Sequence, residues 1–324
     1  MKKILILAGP TGVGKTGASL LLAKELETEI ISADSMQIYR GMDIGTAKPS
    51  REEMATVKHH MIDVVEPTES FSAGRYLETI APVIEELHRK GRIPVFVGGT
   101  GLYIKAITRG IFSGPSADWD LREELLSAER AKPGSLYECL QEADPVAAAR
   151  IEKKDTRRIL RALEVCLRSS ETMSSLQETR TNPLPYEFIK IGLTRERKEL
   201  YGIIDKRVDN MVEAGLVEEV GKILSMAPDR TPLQAIGYKE FASYLHGEIT
   251  REEAIRLVKR NSRRYAKRQF TWFNKEAGIT WIDITGLYRS EDIYRNLKAA
   301  LTSLHPGVLR ADAPGKASSP EILE

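Results

Sequence analysis

The hydrophobic positions of the first hundred residues alternate between short unbroken runs and helically spaced stripes. Unbroken apolar runs at 3–8, at 29–34 and in RIPVFVGGTG (92–101) predict strands buried on both faces of a sheet. Helical apolar spacing at 16–26 and at about 73–90 predicts helices between them. This alternation is typical of a parallel α/β sheet, in which ligands bind beyond the carboxyl ends of the strands. The turns that follow the three strands are therefore expected to face one crevice.

After Pro115 the pattern becomes entirely helical. Short helical patterns fill the chain to about residue 177, and in one of them Asp144 is followed by Pro145, an N-cap residue before proline at the first helical position. Strand character returns in FIKIGLT (188–194). We therefore predict a P-loop-type parallel α/β core, built from residues 1–114 and 188–307, with an all-helical domain inserted at 115–187 and a disordered tail at 308–324.

Two further helical patterns lie in the second part of the core. Residues 205–224 place six apolar side chains on one helical face, as expected of core positions: Val208, Met211, Val212, Leu216, Val220 and Ile223. Residues 250–273 are predicted to form a long helix that opens with a capping box made by Thr250 and Glu253.

The composition narrows the class of protein. With 42% hydrophobic and 29% charged residues among 324, the chain resembles a soluble globular protein, and its net charge of +2 argues against a strongly basic nucleic-acid coat. Cys139 and Cys166 cannot by themselves build a zinc site or a disulfide framework, and each is expected to be a small core residue. No apolar stretch approaches the roughly 18 residues that span a bilayer. We expect a cytoplasmic protein without a membrane partner, and nothing requires more than a monomer.

The first strand leads into a phosphate-binding loop. The segment GPTGVGKT matches the Walker A pattern at every fixed position, between a predicted strand and a predicted helix. Its backbone N–H groups would surround a di- or triphosphate, Lys15 would pair with phosphate oxygens, and the Thr16 hydroxyl would ligate Mg²⁺. The diphosphate-binding residues are predicted to be Gly9, Pro10, Thr11, Gly12, Val13, Gly14, Lys15 and Thr16.

The usual accessories of a nucleotidase are missing from the sequence. No apolar strand ends in Asp-Glu as a Walker B element would, and no Asn-Lys-x-Asp motif could recognise guanine. The second strand is instead followed by DSMQIYRGMDIGTAKP (34–49). Asp34, the first residue after that strand, could be a metal ligand, an N-cap or a general base, and its spacing does not choose among them.

Basic residues are concentrated in two segments. Arg157, Arg158, Arg161 and Arg168 lie in the inserted domain, and a larger group follows Thr250: Arg251, Arg256, Lys259, Arg260, Arg263, Arg264, Lys267 and Arg268. Charge runs are commonly solvated faces, but two runs of one sign with few acidic neighbours favour a polyanionic partner. The aromatic residues of RQFTWF could stack on unpaired bases or belong to the core.

Several ordered motifs together resemble the bacterial tRNA dimethylallyltransferases of the tRNA isopentenyltransferase family. These motifs are GPTGVGKT, ISADSMQIYRGMDIGTAKP, VGGTGLYIKA, DPVAAARI, RRILRALEV and AIGYKEF…YLHGEIT…KRQFTWF, and the similarity extends to about residue 285. Eukaryotic relatives carry a zinc finger, for which this chain has no cysteine pair. The resemblance implies transfer of a dimethylallyl group from dimethylallyl diphosphate to the exocyclic amine of the adenosine immediately 3′ of the tRNA anticodon.

The resemblance also implies roles for individual residues. Asp34 would accept the proton of the amine, while Lys15, Mg²⁺ on Thr16 and Arg207 would neutralise the departing diphosphate. Thr100 would contact the nucleotide or its backbone, and Gln37 would suit an adenine edge. Predicted contacts with the tRNA anticodon stem-loop are Asp34, Ser35, Met36, Gln37, Thr100, Arg122, Arg157, Arg158, Ile159, Leu160, Arg161, Gln234, Ala235, Ile236, Gly237, Tyr238, Lys239, Lys267, Arg268, Gln269, Phe270, Thr271, Trp272, Phe273 and Asn274.

Three other functions are compatible with a phosphate loop. A P-loop kinase or NTPase is disfavoured by the missing Walker B element and by the two basic segments. A non-catalytic RNA-binding module is disfavoured by the intact Lys15, Thr16 and Asp34. An isopentenyltransferase acting on free adenine nucleotides is disfavoured by the arginines of the inserted helical domain.

Overall fold

The computed structural model describes residues 1–112 and 114–309. Two compact units make up the chain. The first, called here the core unit, comprises Met1–Ile104 and the chain from Tyr186 onward. The second, the helical unit, is Lys105–Pro185. The insertion predicted at 115–187 overlaps the helical unit closely but begins ten residues later in the chain.

One sheet organises the core unit. Its six strands are all parallel and lie in the order β3-β2-β4-β1-β5-β6. The strands are β1 (Lys3–Ala8), β2 (Ile30–Ala33), β3 (His59–His60), β4 (Val95–Gly98), β5 (Glu187–Thr194) and β6 (Ile279–Asp283). The central strand β1 consists of apolar residues that are almost fully buried, as its unbroken hydrophobic run predicts. The predicted fold class, a P-loop-type parallel sheet flanked by helices, is confirmed.

Helices account for most of the remaining described chain. They are α1 (Lys15–Glu25), α2 (Arg51–Thr56), α3 (Ala73–Arg89), α4 (Gly101–Arg109), α5 (Trp119–Ala131), α6 (Ser135–Ala143), α7 (Pro145–Arg150), α8 (Thr156–Arg168), α9 (Met173–Thr179), α10 (Arg197–Glu213), α11 (Leu216–Ser225), α12 (Arg230–Leu233), α13 (Tyr238–Leu245), α14 (Arg251–Phe273) and α15 (Ser290–Leu304). Helices α5 to α9 belong to the helical unit. In the core unit, α1 and α15 pack on the sheet over a hydrophobic core that includes Leu22, Ile191 and Leu297.

The four predicted strands are confirmed, and two strands escaped prediction. Strand β3 has only two residues, both partly exposed, so no periodicity could reveal it. Strand β6 lies at the other edge of the sheet, where four of its five residues are only partly buried. Edge strands lack the continuous apolar run that identifies a central strand of a parallel sheet.

Residues 205–224 are two helices rather than the single one predicted. Helix α10 ends before Ala214, and Gly215 adopts φ 99°, a left-handed conformation that glycine enters without strain. The predicted apolar face nevertheless continues across the break, because Val208, Val212 and Leu216 are all buried. The predicted capping box at the start of α14 is only half formed: Thr250 Oγ1 accepts from Glu253 N at 3.2 Å, but the Glu253 carboxylate binds Arg256 instead.

The helical unit has a small hydrophobic core of its own, contributed mainly by α6, α7 and α8. The predicted N-cap is confirmed, since Asp144 Oδ1 accepts from Ala147 N at 2.9 Å. Its carboxylate also accepts from the amide and the hydroxyl of Ser174, at 2.9 and 2.6 Å, and so ties α7 to α9. The expectation that both cysteines lie in the core is wrong, because Cys139 is exposed and Cys166 only partly buried.

The predicted tail begins inside ordered structure. Val308 is fully buried in the hydrophobic core of the core unit, and Leu309 packs against that core. The rest of the predicted tail, residues 310–324, lies outside the described residues. Within the described ranges, no helix is both long enough and apolar enough to cross a membrane.

Candidate active site

A cavity of about 380 Å³ opens at the carboxyl ends of β1, β2 and β4 in the core unit. Several sequence-predicted residues line it together: Thr11, Gly12, Gly14, Lys15, Thr16, Asp34, Gln37, Arg207 and Gln269. The expectation that the turns after these three strands face one crevice is confirmed. The parallel order of the strands explains the convergence, because it brings all three turns to the same edge of the sheet.

The phosphate loop connects β1 to α1 in a conformation that requires glycine. Gly9, Gly12 and Gly14 have φ values of 149°, 79° and 110°. A Cβ atom on Gly9 would lie 2.8 Å from the Leu193 carbonyl oxygen, so the loop could not approach β5 with a larger residue. The loop therefore presents its backbone N–H groups and the N-terminus of α1 to the cavity, an arrangement that binds anions.

Two cations face this loop. Lys15 Nζ donates to the carbonyl oxygens of Gly9 and Pro10, each at 2.9 Å, and Arg207 Nη1 donates to Thr11 Oγ1 at 3.4 Å. Burial lowers the pKa of Lys15 to about 8, with Arg207 acting in the same direction and Asp34 opposing it. Burial also lowers the pKa of Arg207. Within the described part of the chain neither cation makes a salt bridge. Asp34 offsets part of their charge, and an incoming anion would compensate the rest.

Asp34 directly follows β2 and lines the same cavity as these cations. Its Oδ1 accepts from Met36 N at 2.8 Å, which forms a tight turn after β2. The N-cap alternative for Asp34 is excluded, because no helix begins at this turn. Ser35 N donates to Thr100 Oγ1 at 3.0 Å, so Thr100 joins the turn after β4 to the turn that carries Asp34.

Gln37 is held by the protein at both ends of its amide. Oε1 accepts from Ser32 Oγ at 3.0 Å, and Nε2 donates to the carbonyl oxygens of Thr46 and Ala47 at 3.4 and 3.3 Å. The segment that supplies these carbonyls is fixed by Glu219, whose carboxylate accepts three successive backbone N–H groups, of residues 43, 44 and 45, at 2.8 to 3.0 Å. To contact an adenine edge, the Gln37 amide would need hydrogen-bonding capacity that these internal bonds leave unused.

The predicted RNA contacts differ widely in accessibility. Eight are exposed: Arg157, Arg158, Gln234, Lys239, Lys267, Arg268, Thr271 and Asn274. Seven are buried inside their own unit: Ile159, Leu160, Ala235, Gly237, Tyr238, Gln269 and Phe273. Buried side chains are not accessible to an RNA, so in these motifs the prediction of direct contact rests on the exposed and half-buried neighbours.

The basic helix α14 is less uniformly cationic than its sequence indicates. The sequence shows few acidic neighbours, but α10 supplies two, since Lys259 pairs with Asp209 at 2.6 Å and Arg263 pairs with Asp205. Arg256 pairs with Glu253 one turn away. Arg264 and Lys267 are exposed and make no salt bridge to any described residue. Cations of α14 without a salt bridge to a described residue therefore occur in both halves: Arg251 and Arg260 in the first, and Arg264, Lys267 and Arg268 in the second.

The arginines of the helical unit surround one buried carboxylate. Glu164 is 0% exposed, and its two oxygens accept from Arg122 Nε and Nη2, both at 2.9 Å. Arg161 Nη1 donates to the same carboxylate at 2.5 Å and to the Pro115 carbonyl at 3.0 Å. Burial raises the pKa of Glu164, but the hydrogen bonds from Arg122, from the Asp118 amide and from Arg161 outweigh it, so that the pKa lies below its usual value. These hydrogen bonds fix the two arginines in place, and part of each side chain remains exposed.

Tyr265 and Arg195 are among the cavity-lining side chains that the sequence analysis missed. Tyr265, on α14, lies close to Thr100 and Gln269, and burial together with Asp34 raises its pKa to about 12. Arg195 is buried beneath the phosphate loop, where its Nη2 donates to the Leu287 carbonyl at 2.6 Å and Nη1 pairs with Glu199. The sequence positions could have indicated both residues, because Tyr265 precedes Gln269 by one helical turn and Arg195 directly follows β5.

Comparison with known proteins gives a consistent result. The sequence model described as IPP transferase matches residues 37–276. A curated tRNA dimethylallyltransferase of Thermodesulfovibrio yellowstonii is 54% identical over 310 residues, which are 94% of this chain and 98% of that protein. The relative of the same name from Halalkalibacterium halodurans is 48% identical over 288 residues, 88% of this chain and 92% of that protein.

Solved structures agree. The full-length tRNA isopentenylpyrophosphate transferase of Bacillus halodurans superposes with a TM-score of 0.69 at 44% identity and covers 95% of this chain and 97% of its own. A eukaryotic dimethylallyltransferase acting on tRNA superposes with a TM-score of 0.77 at 28% identity, covering 94% of this chain and 79% of its own. A family match over most of the chain, on a site whose phosphate loop, Asp34 and Arg207 converge, leads to one conclusion: the chain belongs to the IPP transferase family.

Proposed function

We propose that this enzyme transfers a dimethylallyl group from dimethylallyl diphosphate to the exocyclic amine of the adenosine 3′-adjacent to the anticodon in tRNA. The observation that carries the proposal is the convergence of Lys15, Arg207 and Asp34 on one cavity with a phosphate loop. The names of the curated relatives support the choice of prenyl donor and of tRNA. A diphosphate fits the uncompensated cations, and a carboxylate beside them fits the need to remove a proton.

The reaction breaks the bond between C1 of the prenyl group and the diphosphate oxygen, and it forms a bond between C1 and N6 of adenosine. Charge develops on the leaving oxygen, where the loop amides, Lys15 and Arg207 would stabilise it. Asp34 would take the proton from N6, because a conjugated amine is a weak nucleophile that becomes acidic as the new bond forms. The products are N6-dimethylallyladenosine and diphosphate.

Magnesium is part of this proposal. The hydroxyl of Thr16 is exposed at the start of α1, and the described residues contain no group of three carboxylate, histidine or cysteine side chains that could hold a metal ion alone. Mg²⁺ commonly binds through one or two protein oxygens together with phosphate oxygens and water, so Thr16 fits such an ion only beside a bound diphosphate. Bound there, Mg²⁺ would add positive charge at the leaving group.

The target adenosine has to leave its stack to reach Asp34, as in other enzymes that act on a base. Asp34 and Gln37 line the cavity and would contact it, together with Thr100, which accepts a hydrogen bond from Ser35 in the same turn. The exposed Lys267 and Arg268, on α14 of the core unit, and the exposed Arg157 and Arg158, on α8 of the helical unit, would bind the phosphate backbone of the anticodon stem-loop.

The test is an assay of prenyl transfer with Mg²⁺, dimethylallyl diphosphate and unmodified tRNA, in parallel with AMP and with ATP. We expect prenylated tRNA at the adenosine next to the anticodon, detected by nucleoside mass spectrometry, and no product from AMP. If AMP is prenylated and tRNA is not, the acceptor is a free nucleotide and not tRNA. Hydrolysis of ATP without any prenyl transfer would refute the proposal.

A further inference from the structure

Gln269 connects three parts of the active site that are far apart in sequence. It is 6% exposed on the inner side of α14 and lines the cavity. Its Oε1 accepts from Thr11 N in the phosphate loop at 2.8 Å, and its Nε2 donates to the Gly99 carbonyl oxygen at 2.9 Å. A backbone N–H can only donate and a carbonyl oxygen can only accept, so only one orientation of a neutral amide satisfies both partners.

The surrounding packing leaves Gln269 little freedom. A Cβ atom on Gly99 would lie 2.2 Å from Gln269 Nε2, so glycine at 99 is what allows the amide to reach the turn after β4. One helical turn away Tyr265 lines the same cavity, close to Gln269 and Thr100. On the next turn Trp272 packs against Gly101, where a Cβ atom would lie 2.4 Å from the indole ring. The inner side of α14 is thus fitted to the turn after β4 and to the phosphate loop.

We propose that Gln269 is a positioning residue for prenyl transfer: it fixes the phosphate loop at Thr11 relative to the turn that carries Thr100, and hence relative to Asp34. This inference rests on the proposed function. The diphosphate on the loop and the adenosine at Asp34 must meet within reacting distance, and the Gln269 amide is a direct polar link between the phosphate loop and the turn after β4. Because Gln269 is buried in α14, this role differs from the RNA contact predicted for it from the sequence. That contact is instead expected of its exposed neighbours Lys267 and Arg268.

The first variant is Gln269→Ala, which removes both hydrogen bonds. Small misplacements of reacting groups cost large factors in rate, so we expect kcat to fall roughly 100-fold. The KM for dimethylallyl diphosphate and the Kd for tRNA should change far less, because the loop and the exposed basic residues remain. The matched control is Asn261→Ala on the same helix, where Asn261 Nδ2 donates to Glu240 Oε1 at 2.7 Å away from the cavity. The control should keep the wild-type kcat with a similar change in Tm.

The second variant, Gln269→Glu, keeps the size of the side chain. A carboxylate still accepts from Thr11 N–H, but only the protonated acid can donate to the Gly99 carbonyl oxygen. The kcat of this variant relative to wild type should therefore rise as the pH is lowered, whereas a role in packing alone would give a pH-independent ratio. If Gln269→Ala does not fold, the pH dependence of Gln269→Glu still tests the proposal.

Three results would overturn the inference: a wild-type kcat in Gln269→Ala, a pH-independent kcat ratio in Gln269→Glu, or a loss of tRNA affinity in Gln269→Ala at unchanged kcat. The last result would make Gln269 an RNA-binding residue instead. Failure of the proposed function is distinguishable, because then wild type and Asn261→Ala would also yield no prenylated tRNA.

Discussion

The core unit and the helical unit treat buried positive charge in opposite ways. In the core unit Lys15 and Arg207 face the cavity without a salt bridge to any described residue, and burial lowers the pKa of each. In the helical unit Arg122 and Arg161 share the buried carboxylate of Glu164, whose pKa is lowered by their hydrogen bonds.

This difference separates cations that are offset only in part, by Asp34, from arginines that share a buried carboxylate. Desolvation without a salt bridge disfavours the charged form of Lys15 and Arg207, and the diphosphate of the proposed reaction would favour it. An arginine pair bound to a carboxylate is stabilised without a ligand, because each charge already has a partner inside the unit. The cations of the core unit are therefore suited to stabilising an anion in the cavity. The arginines of the helical unit are instead held in a fixed orientation by Glu164.

The largest expected effect is that of Asp34 on the chemical step. Asp34→Ala should abolish transfer while tRNA affinity survives, since loss of a general base commonly costs about 10² to 10⁴ in rate. Asp34→Asn is the sharper variant, because the amide oxygen still accepts from Met36 N and preserves the turn. Single-turnover prenylation and tRNA filter binding measure the two quantities. Near-normal turnover in Asp34→Asn would exclude the role as base.

The next effect concerns the stability of the helical unit. Glu164→Ala leaves two buried arginine contacts without a carboxylate and should destabilise this unit by about 3 to 5 kcal/mol. Glu138→Ala, which removes an exposed partner of Lys132 in the same unit, should change little. Because the pKa of Glu164 is lower in the folded state, its stabilisation is present above pH 4.5 and is lost as the pH falls through the folded value. Urea unfolding at pH 7 and at pH 4 measures both effects; equal stability of the two variants would contradict the buried network.

Lys15 should make diphosphate binding sensitive to pH. Its pKa of about 8 in the free enzyme means that the ammonium is lost from the folded protein between pH 8 and 10.5, whereas the unfolded chain stays charged there. Inorganic diphosphate should bind wild type more tightly than Lys15→Met by roughly 100-fold at pH 7. The advantage should shrink above pH 8, since binding then requires uptake of a proton. Calorimetry across this range tests the prediction, and a constant ratio up to pH 10 would contradict it.

The smallest effect separates two kinds of charge on α14. Lys267→Ala removes a cation that has no described salt-bridge partner, so tRNA affinity should fall a few-fold and the slope of log K against log salt should decrease by about one. Arg256→Ala removes a cation already paired with Glu253 and should have a smaller effect on both quantities. Binding titrations at several salt concentrations give the slopes. Equal slopes for the two variants would mean that the salt bridge does not withdraw Arg256 from RNA binding.

Local sequence was sufficient for the parts of the site that are continuous in the chain. The phosphate loop, its lysine and its threonine occupy fixed spacings between a strand and a helix, and Asp34 directly follows an apolar run. Such features depend on backbone geometry over a few residues, which glycine and strand patterns determine. The motifs also identified the family, because their order is preserved over most of the chain.

Contacts between distant segments could not be read in this way. The partners of Lys259 and Arg263 are carboxylates 50 and 58 residues away on α10, so a charge run that looks uncompensated in sequence is partly neutralised in space. In the sequence nothing distinguishes Glu219 from other glutamates in helices. In the structure its carboxylate accepts hydrogen bonds from three backbone N–H groups, those of residues 43–45. The single helix predicted at 205–224 failed because apolar periodicity continues across the break at Gly215.

By itself the sequence determined the parallel α/β core, the anion-binding loop and the carboxylate that follows β2. Each is written in residues that are neighbours along the chain, where steric and hydrogen-bonding rules act locally. Only the tertiary structure decided which cations face the cavity without a partner, which arginines are closed on Glu164, and that Gln269 joins the loop to the turn after β4. Those outcomes depend on distances between segments up to 258 residues apart, and Coulomb and hydrogen-bond energies follow distance in space rather than in sequence.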